Sequence, residues 1–204
     1  MSTWELIAVG GWPMVLLGLC SVAGLAIVIE RSLGLRRGAV LSGAVVALTD
    51  NYPGEAQAQQ ALGTCQRAKG AYARIIEELL RKRQLDHAQA IETMRAVGRT
   101  QVGQLERGLA VLEIIAGISP LIGLLGTVLG MVTVFNAITA QGLGNPQVLS
   151  EGISEALITT VGGLAVAIPA FASHAILSRR VESLAVEMQD RATSFLVLLQ
   201  SGRE

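Results

Sequence analysis

Glu155 lies inside a long apolar stretch, and an acid placed there is costly enough to be read first as a functional group. Thr159 follows it by four residues, on the same helical face, with Thr160 just beside. Thr127 stands at the midpoint of the preceding apolar stretch. A carboxylate can take up and release a proton. Hydroxyls both donate and accept hydrogen bonds, so several at similar depth on neighbouring helices can line a polar path. Each residue also has a plainer role open to it. A Thr in a membrane helix commonly bonds a carbonyl of its own preceding turn. Glu155 is near the outer end of its stretch, where the positive end of its helix would favour a carboxylate. Glu151 is expected to be exposed, and His174, near the inner end, to be a packing or headgroup residue. Ser119, Thr133 and Asn136 add further polar atoms.

What is missing is equally informative. No Asp or Lys occupies the centre of either stretch, so a proton passing these threonines would need a carboxylate from another polypeptide. No nucleophile–base pair, metal-ligand cluster or Gly-rich phosphate loop is visible. The chain is therefore not expected to be an enzyme, to hold a metal or to carry a cofactor. Net charge is zero, and no nucleic-acid partner is expected.

The elements that must position these residues are apolar helices. Half of the 204 residues are hydrophobic and 16% are charged, against about 25% in a soluble domain. Aromatics are scarce, so the apolar content is Ala, Val, Ile, Leu and Gly, a mix suited to close helix contact in a bilayer. Gly123, Gly126 and Gly130 in the second span, and Gly162 and Gly163 in the third, are expected to let helix backbones approach. Three stretches approach or exceed the about 20 residues needed to cross hydrocarbon: Gly11–Ile29, Ile114–Ala137 and Ile153–Leu177. Pro120 and Pro169 should kink the second and third.

Basic charge orients them. All 16 Lys and Arg fall in two blocks, twelve from Arg31 to Arg107 and four from Arg179 to Arg203. Cytoplasmic segments carry such an excess. Residues 1–30 are thus a short periplasmic lead, bearing Trp4 and Glu5, and an uncleaved first span. Residues 31–113 form a cytoplasmic helical domain, 114–178 a transmembrane hairpin and 179–204 a cytoplasmic helix. Within the domain, Leu33–Asn51 reads as amphipathic helix, Tyr52–Gly54 as a breaker, Glu55–Leu80 as helix and Arg81–Arg83 as a turn. From Asp86 the pattern continues without a stop through Val102, Leu105, Leu109 and Leu112, predicting one helix running into the second span. Thr139–Leu149 is the outer connection, with Asn145 as cap and Pro146 as first residue of the next helix. The fold class is an all-α membrane protein of three transmembrane helices, the second and third extended into the cytoplasm. Cys20 and Cys65 lie at different levels and are read as small packing residues.

Two of these stretches, SPLIGLLGTVLGMVTVF (Ser119–Phe135) and GISEALITTVGGLAVAIPA (Gly152–Ala170), resemble the signature segments of the MotA/TolQ/ExbB proton-channel family. Three spans rather than four, and no large torque-generating block, favour its ExbB/TolQ side. The resemblance implies a homo-oligomer, a pentameric ring in the bacterial inner membrane. The ring would enclose two copies of an ExbD/TolR-like single-span partner whose Asp exchanges protons. It also implies that Thr127, Thr160 and Glu155 face the lumen with Thr159 nearby, and that a TonB- or TolA-like protein receives the energy. The long periplasmic extension of some ExbB proteins has no counterpart here, so no role of that segment is carried over. ExbB-like and TolQ-like service, and H⁺ and Na⁺ coupling, both remain open. A non-conducting membrane scaffold or signalling subunit is the alternative.

Overall fold

The computed structural model describes residues 11–52, 54, 57–141 and 146–201, and among them every regular element is helical. The helices are α1 (Gly11–Gly34), α2 (Arg37–Val40), α3 (Gly43–Asp50), α4 (Ala58–Arg67), α5 (Ala71–Arg81), α6 (His87–Glu106), α7 (Leu109–Gln141) and α8 (Pro146–Ser201). Three of them, α1, α7 and α8, are long and apolar enough to cross a membrane. The chain is an all-α membrane protein.

It divides into two units. One comprises Met1–Ile29 and Gly108–Ile176, and the other Glu30–Arg107 and Leu177–Glu204. Every Lys and Arg belongs to the second, so the two are called here the span unit and the charged unit.

In the span unit, α7 buries a stripe that advances by three and four residues: Leu109, Leu112, Ile115, Ser119, Gly123, Gly126, Gly130 and Val134. The membrane part of α8 answers with Gly152, Ala156, Thr159, Gly163, Ala167 and Ala170. The opposite faces keep large apolar side chains exposed, among them Leu121, Val161, Ile168 and Phe171, as lipid-facing positions require. Pro13 falls in the first turn of α1 and Pro146 opens α8, positions that need no helical N–H donor. Pro120 and Pro169 lie inside α7 and α8.

The charged unit has a different core. Tyr72, Ile76, Leu79 and Leu80 of α5 are buried, as are Met188, Phe195, Leu196 and Leu199 of α8. Tyr52 meets Phe195 edge-on, with ring centroids 5.2 Å apart. Tyr72 Oη donates to Thr49 Oγ1 (3.1 Å), which in turn donates to the Val46 carbonyl, so these two buried hydroxyls are paired. Asp86 starts α6 by accepting the His87 N–H. Cys65 is buried, and that burial, with Glu77 nearby, pushes its thiol up to about 11, making it inert.

The structure corrects four expectations. The single helix predicted from Asp86 into the second span is broken at Arg107–Gly108. Gly108 takes φ +89°, a left-handed conformation that ends α6, and its carbonyl then accepts the Leu112 N–H as α7 begins. The helix predicted over Glu55–Leu80 is split at Ala68–Gly70, between α4 and α5. A side chain at Gly70 would place its Cβ 2.7 Å from the Val40 carbonyl oxygen, so only glycine lets the chain pass. Leu33–Asn51, predicted as one amphipathic helix, is the end of α1 followed by α2 and α3. Helix is interrupted at Tyr52 and at Gly54 (φ +85°), and the turn after Arg81 is present. The outer connection is shorter than Thr139–Leu149, since α7 reaches Gln141 and α8 starts at Pro146. Trp4, Glu5 and the Asn145 cap lie outside the described residues.

Candidate functional site

The site is the seam between α7 and α8 within the span unit. Its geometry follows from the absence of side chains. A Cβ at Gly163 would lie 2.6 Å from the Ser119 carbonyl oxygen and 3.1 Å from the Gly123 Cα. One at Gly123 would lie 2.9 Å from the Thr159 carbonyl oxygen. One at Gly130 would lie 3.1 Å from the Gly152 carbonyl oxygen. These are backbone atoms that cannot swing aside, so the two helices touch main chain to main chain. In a bilayer, where apolar surface gains nothing by leaving lipid, such van der Waals contact is what holds helices together.

Gly162 and Gly163 serve different neighbours. A Cβ at Gly162 would lie 2.9 Å from the Met14 thioether of α1, whereas Gly163 faces α7. One residue of helix rotates the direction by 100°, enough to address two partners. Gly24 of α1 completes the packing, with its missing Cβ at ordinary contact from Leu112 and Ile115 of α7.

The threonines divide in the same way. Thr159 is only 1% exposed. Its hydroxyl donates to the Ala156 carbonyl (2.7 Å) and reaches the Gly123 carbonyl (3.4 Å), and its Cβ occupies the space that Gly126 leaves. It is part of the seam, not of an open face. Thr160 is half-buried and donates across the helix pair to the same Gly123 carbonyl (3.3 Å). Thr127 lies one turn beyond Gly123 on α7, is half-buried, and donates to the Leu124 carbonyl (2.6 Å). The Gly123 level thus gathers Thr159 and Thr160 on one carbonyl, with Thr127 a turn away on that carbonyl's own helix. Ser119 is fully buried and satisfied by the Ile115 carbonyl (2.6 Å).

Glu155 lies one turn N-terminal to Thr159 on α8 and is half-buried. Its Oε1 lies 3.3 Å from where a Cβ of Gly11 would be, beside the first turn of α1. The free N–H groups of a helix start favour a carboxylate there. Gly11 is left-handed (φ +62°) and bare, which lets the acid approach. Sequence reasoning missed this partner, because nothing in a helical pattern says which neighbour a half-buried acid meets.

The seam offers hydroxyls satisfied by carbonyls and, one turn away, the carboxylate of Glu155. Among the described residues there is no group of His, Cys, Asp and Glu suited to a metal ion.

Comparison with known proteins bears on what such a seam does. The model of the MotA/TolQ/ExbB proton channel family matches residues 67–190. The chain is 46% identical over 76 residues to the biopolymer transport protein exbB1 of Vibrio cholerae, covering 37% of this chain and 33% of that one. It is 40% identical over 98 residues to a putative ExbB-like biopolymer transport protein of Helicobacter pylori, covering 48% and 52%. With the Tol-Pal system protein TolQ of Haemophilus influenzae it shares 36% identity over 110 residues, covering 52% and 48%. The chain therefore spans between a third and about half of the length of these relatives.

Proposed function

The chain belongs to the MotA/TolQ/ExbB proton channel family, and on that premise we propose that it is a ring-forming subunit of a motor driven by the proton-motive force. The motor sits in the bacterial inner membrane, with this chain's N-terminus periplasmic and its C-terminus cytoplasmic. Five copies enclose the helices of an ExbD/TolR-like partner, which supplies the Asp that the span unit lacks. Protons move between that Asp and the face carrying Thr160, Thr127 and, at the outer mouth, Glu155. The work passes to a TonB- or TolA-like protein. Thr159, buried in the seam, holds the wall in shape.

One observation carries the reading: Thr160 spans the helix pair to the Gly123 carbonyl with one edge still open, in a unit that contains no Lys, Arg or Asp. A ring lined this way keeps a partner's acid neutral against apolar wall. It offers polar contact only at the level of the hydroxyls. One proton crossing 100 mV releases about 2.3 kcal/mol. That is the scale of one hydrogen bond to a charged group, about 1.5–3 kcal/mol, so single protons suffice to move the partner between neighbouring contacts.

The test is proton flux into vesicles holding this chain and a single-span, Asp-bearing partner. Thr160→Val should lower flux by at least about tenfold while assembly persists, the worth of one hydrogen bond to a charged group. Glu155→Gln should lower it too. Undiminished flux in both variants would remove the assigned roles. A wild-type chain that binds its partner and passes no protons would be a scaffold.

A further inference from the structure

The charged unit has an opening that its own side chains leave unfilled. A groove of about 540 Å³ lies between α6 and α8, floored by Ile75, Met94 and Met188. Gly98 and Gly103 form its α6 wall, and a Cβ at either would meet nothing within 4 Å. Arg95 and Arg99 line the same groove, with Glu106 at its end. Among the described residues neither guanidinium has an ion-pair partner.

A second face of α8, about a third of a turn round the helix from the groove wall, is its complement. Glu182, Val186, Asp190, Thr193 and Val197 recur at intervals of three and four, forming one stripe. The valines are 55% and 57% exposed, outside the span unit where lipid would explain it. Both carboxylates are exposed and, like the two arginines, lack an ion-pair partner among the described residues. One chain thus presents a basic-edged apolar groove and an acid-bearing apolar ridge.

We propose that the groove of one copy seats the α8 stripe of the next, with Asp190 meeting Arg95 and Arg99. The contact is heterologous, the kind that closes into a ring. Cyclic symmetry adds a condition that this pairing meets. Corresponding residues of all copies stand at one height on the ring axis. The α8 wall of the groove is residues 185–192, and Val186 and Asp190 of the stripe lie within that span of the same helix, at the same height. Opposite charges at matched depth then set register and reject a neighbour shifted by one turn. This interface rests on the ring reading and names the surface that builds the ring outside the membrane.

The test uses two differently tagged full-length chains, each with Cys20→Ser and Cys65→Ala, co-expressed in membranes. One carries Gly98→Cys and the other Val186→Cys. Oxidation should yield the mixed-tag dimer, while Gln66→Cys with Val186→Cys, a pair away from the groove, should not. Arg95→Glu with Arg99→Glu should lower cross-linking at least about tenfold, as like charges meet in the interface. Adding Asp190→Arg should restore it. Native mass spectrometry of the same samples separates the two readings. An intact oligomer without the Gly98–Val186 cross-link, or with cross-linking indifferent to charge reversal, would overturn this interface alone. A monomer would overturn the ring and the interface together.

Discussion

The two units of this chain solve the same packing problem with opposite materials. The charged unit buries bulk, with Tyr72, Phe195, Ile76 and Leu80 essentially inaccessible. Its polar rim joins α2, α3 and α8, as Arg37 pairs with Glu187, Glu187 with Arg191 (3.1 Å), and Arg191 with Asp50 (3.3 Å). The span unit buries bulk at Leu17, Leu109, Leu112 and Ile115, but little that is large along its seam from Ser119 to Gly130. Its closest contacts are glycine to backbone, and its large side chains point outward. The solvent explains the difference. Water rewards the removal of aromatic and aliphatic area. Lipid does not, so helices there associate through close fit and through hydroxyls that find carbonyls.

The comparison can be broken by substitution, and the largest effect should come from the charged unit. Phe195→Ala removes a ring that is 1% exposed and stacked edge-on against Tyr52, and should cost about 3–5 kcal/mol. Phe171→Ala in the span unit removes the same atoms from a side chain that is 68% exposed, and should leave the midpoint of thermal unfolding in detergent nearly unchanged. Equal losses at the two sites would mean that the units do not differ as described.

Adding a methyl group should reverse the sensitivity. Gly163→Ala drives a Cβ to 2.6 Å from the Ser119 carbonyl and should cost about 1–3 kcal/mol through overpacking. Gly63→Ala, inside α4 where a Cβ meets nothing within 4 Å, should instead stabilise by about 0.5–1 kcal/mol. Unfolding of the two variants side by side reads the contrast directly.

The smallest effect belongs to the rim. The Arg37 side chain, aided by Arg191 and opposed by partial burial, holds the Glu187 carboxyl down to about 2. A carboxylate with a lowered folded pKa stabilises the fold above its ordinary value of 4.5, and that stability drains away as pH falls towards 2. Glu187→Gln should therefore lower stability near neutrality by about 0.2–1 kcal/mol, the range of exposed ion pairs. It should also flatten the decline between pH 4.5 and 2. A variant with the same acid limb as the parent would remove Glu187 from that role.

Much of this was legible in the residues alone. Charge placement marked both units, because a guanidinium and hydrocarbon exclude one another. The three- and four-residue steps in α7 and α8 marked the faces that pack. Less legible were the interruptions. Gly108 sits in an unbroken apolar pattern, and only its left-handed backbone ends α6; the basic Arg107 before it was the available sign of a helix end. Gly70 gave no sign at all, because its necessity comes from Val40, thirty residues away in sequence.

The sequence by itself determined the three spans, the all-α class and the glycines and hydroxyls at the centre of the hairpin, since composition and period are properties of single helices. Only the tertiary structure decided which member of each adjacent pair does what. Gly163 meets α7 and Gly162 meets α1, while Thr159 is sealed in the seam and Thr160 keeps an open edge. It also set the carboxylate of Glu155 beside the start of α1. A step of one residue turns a side chain by 100°. What lies in that direction is known only once the neighbouring helix is in place.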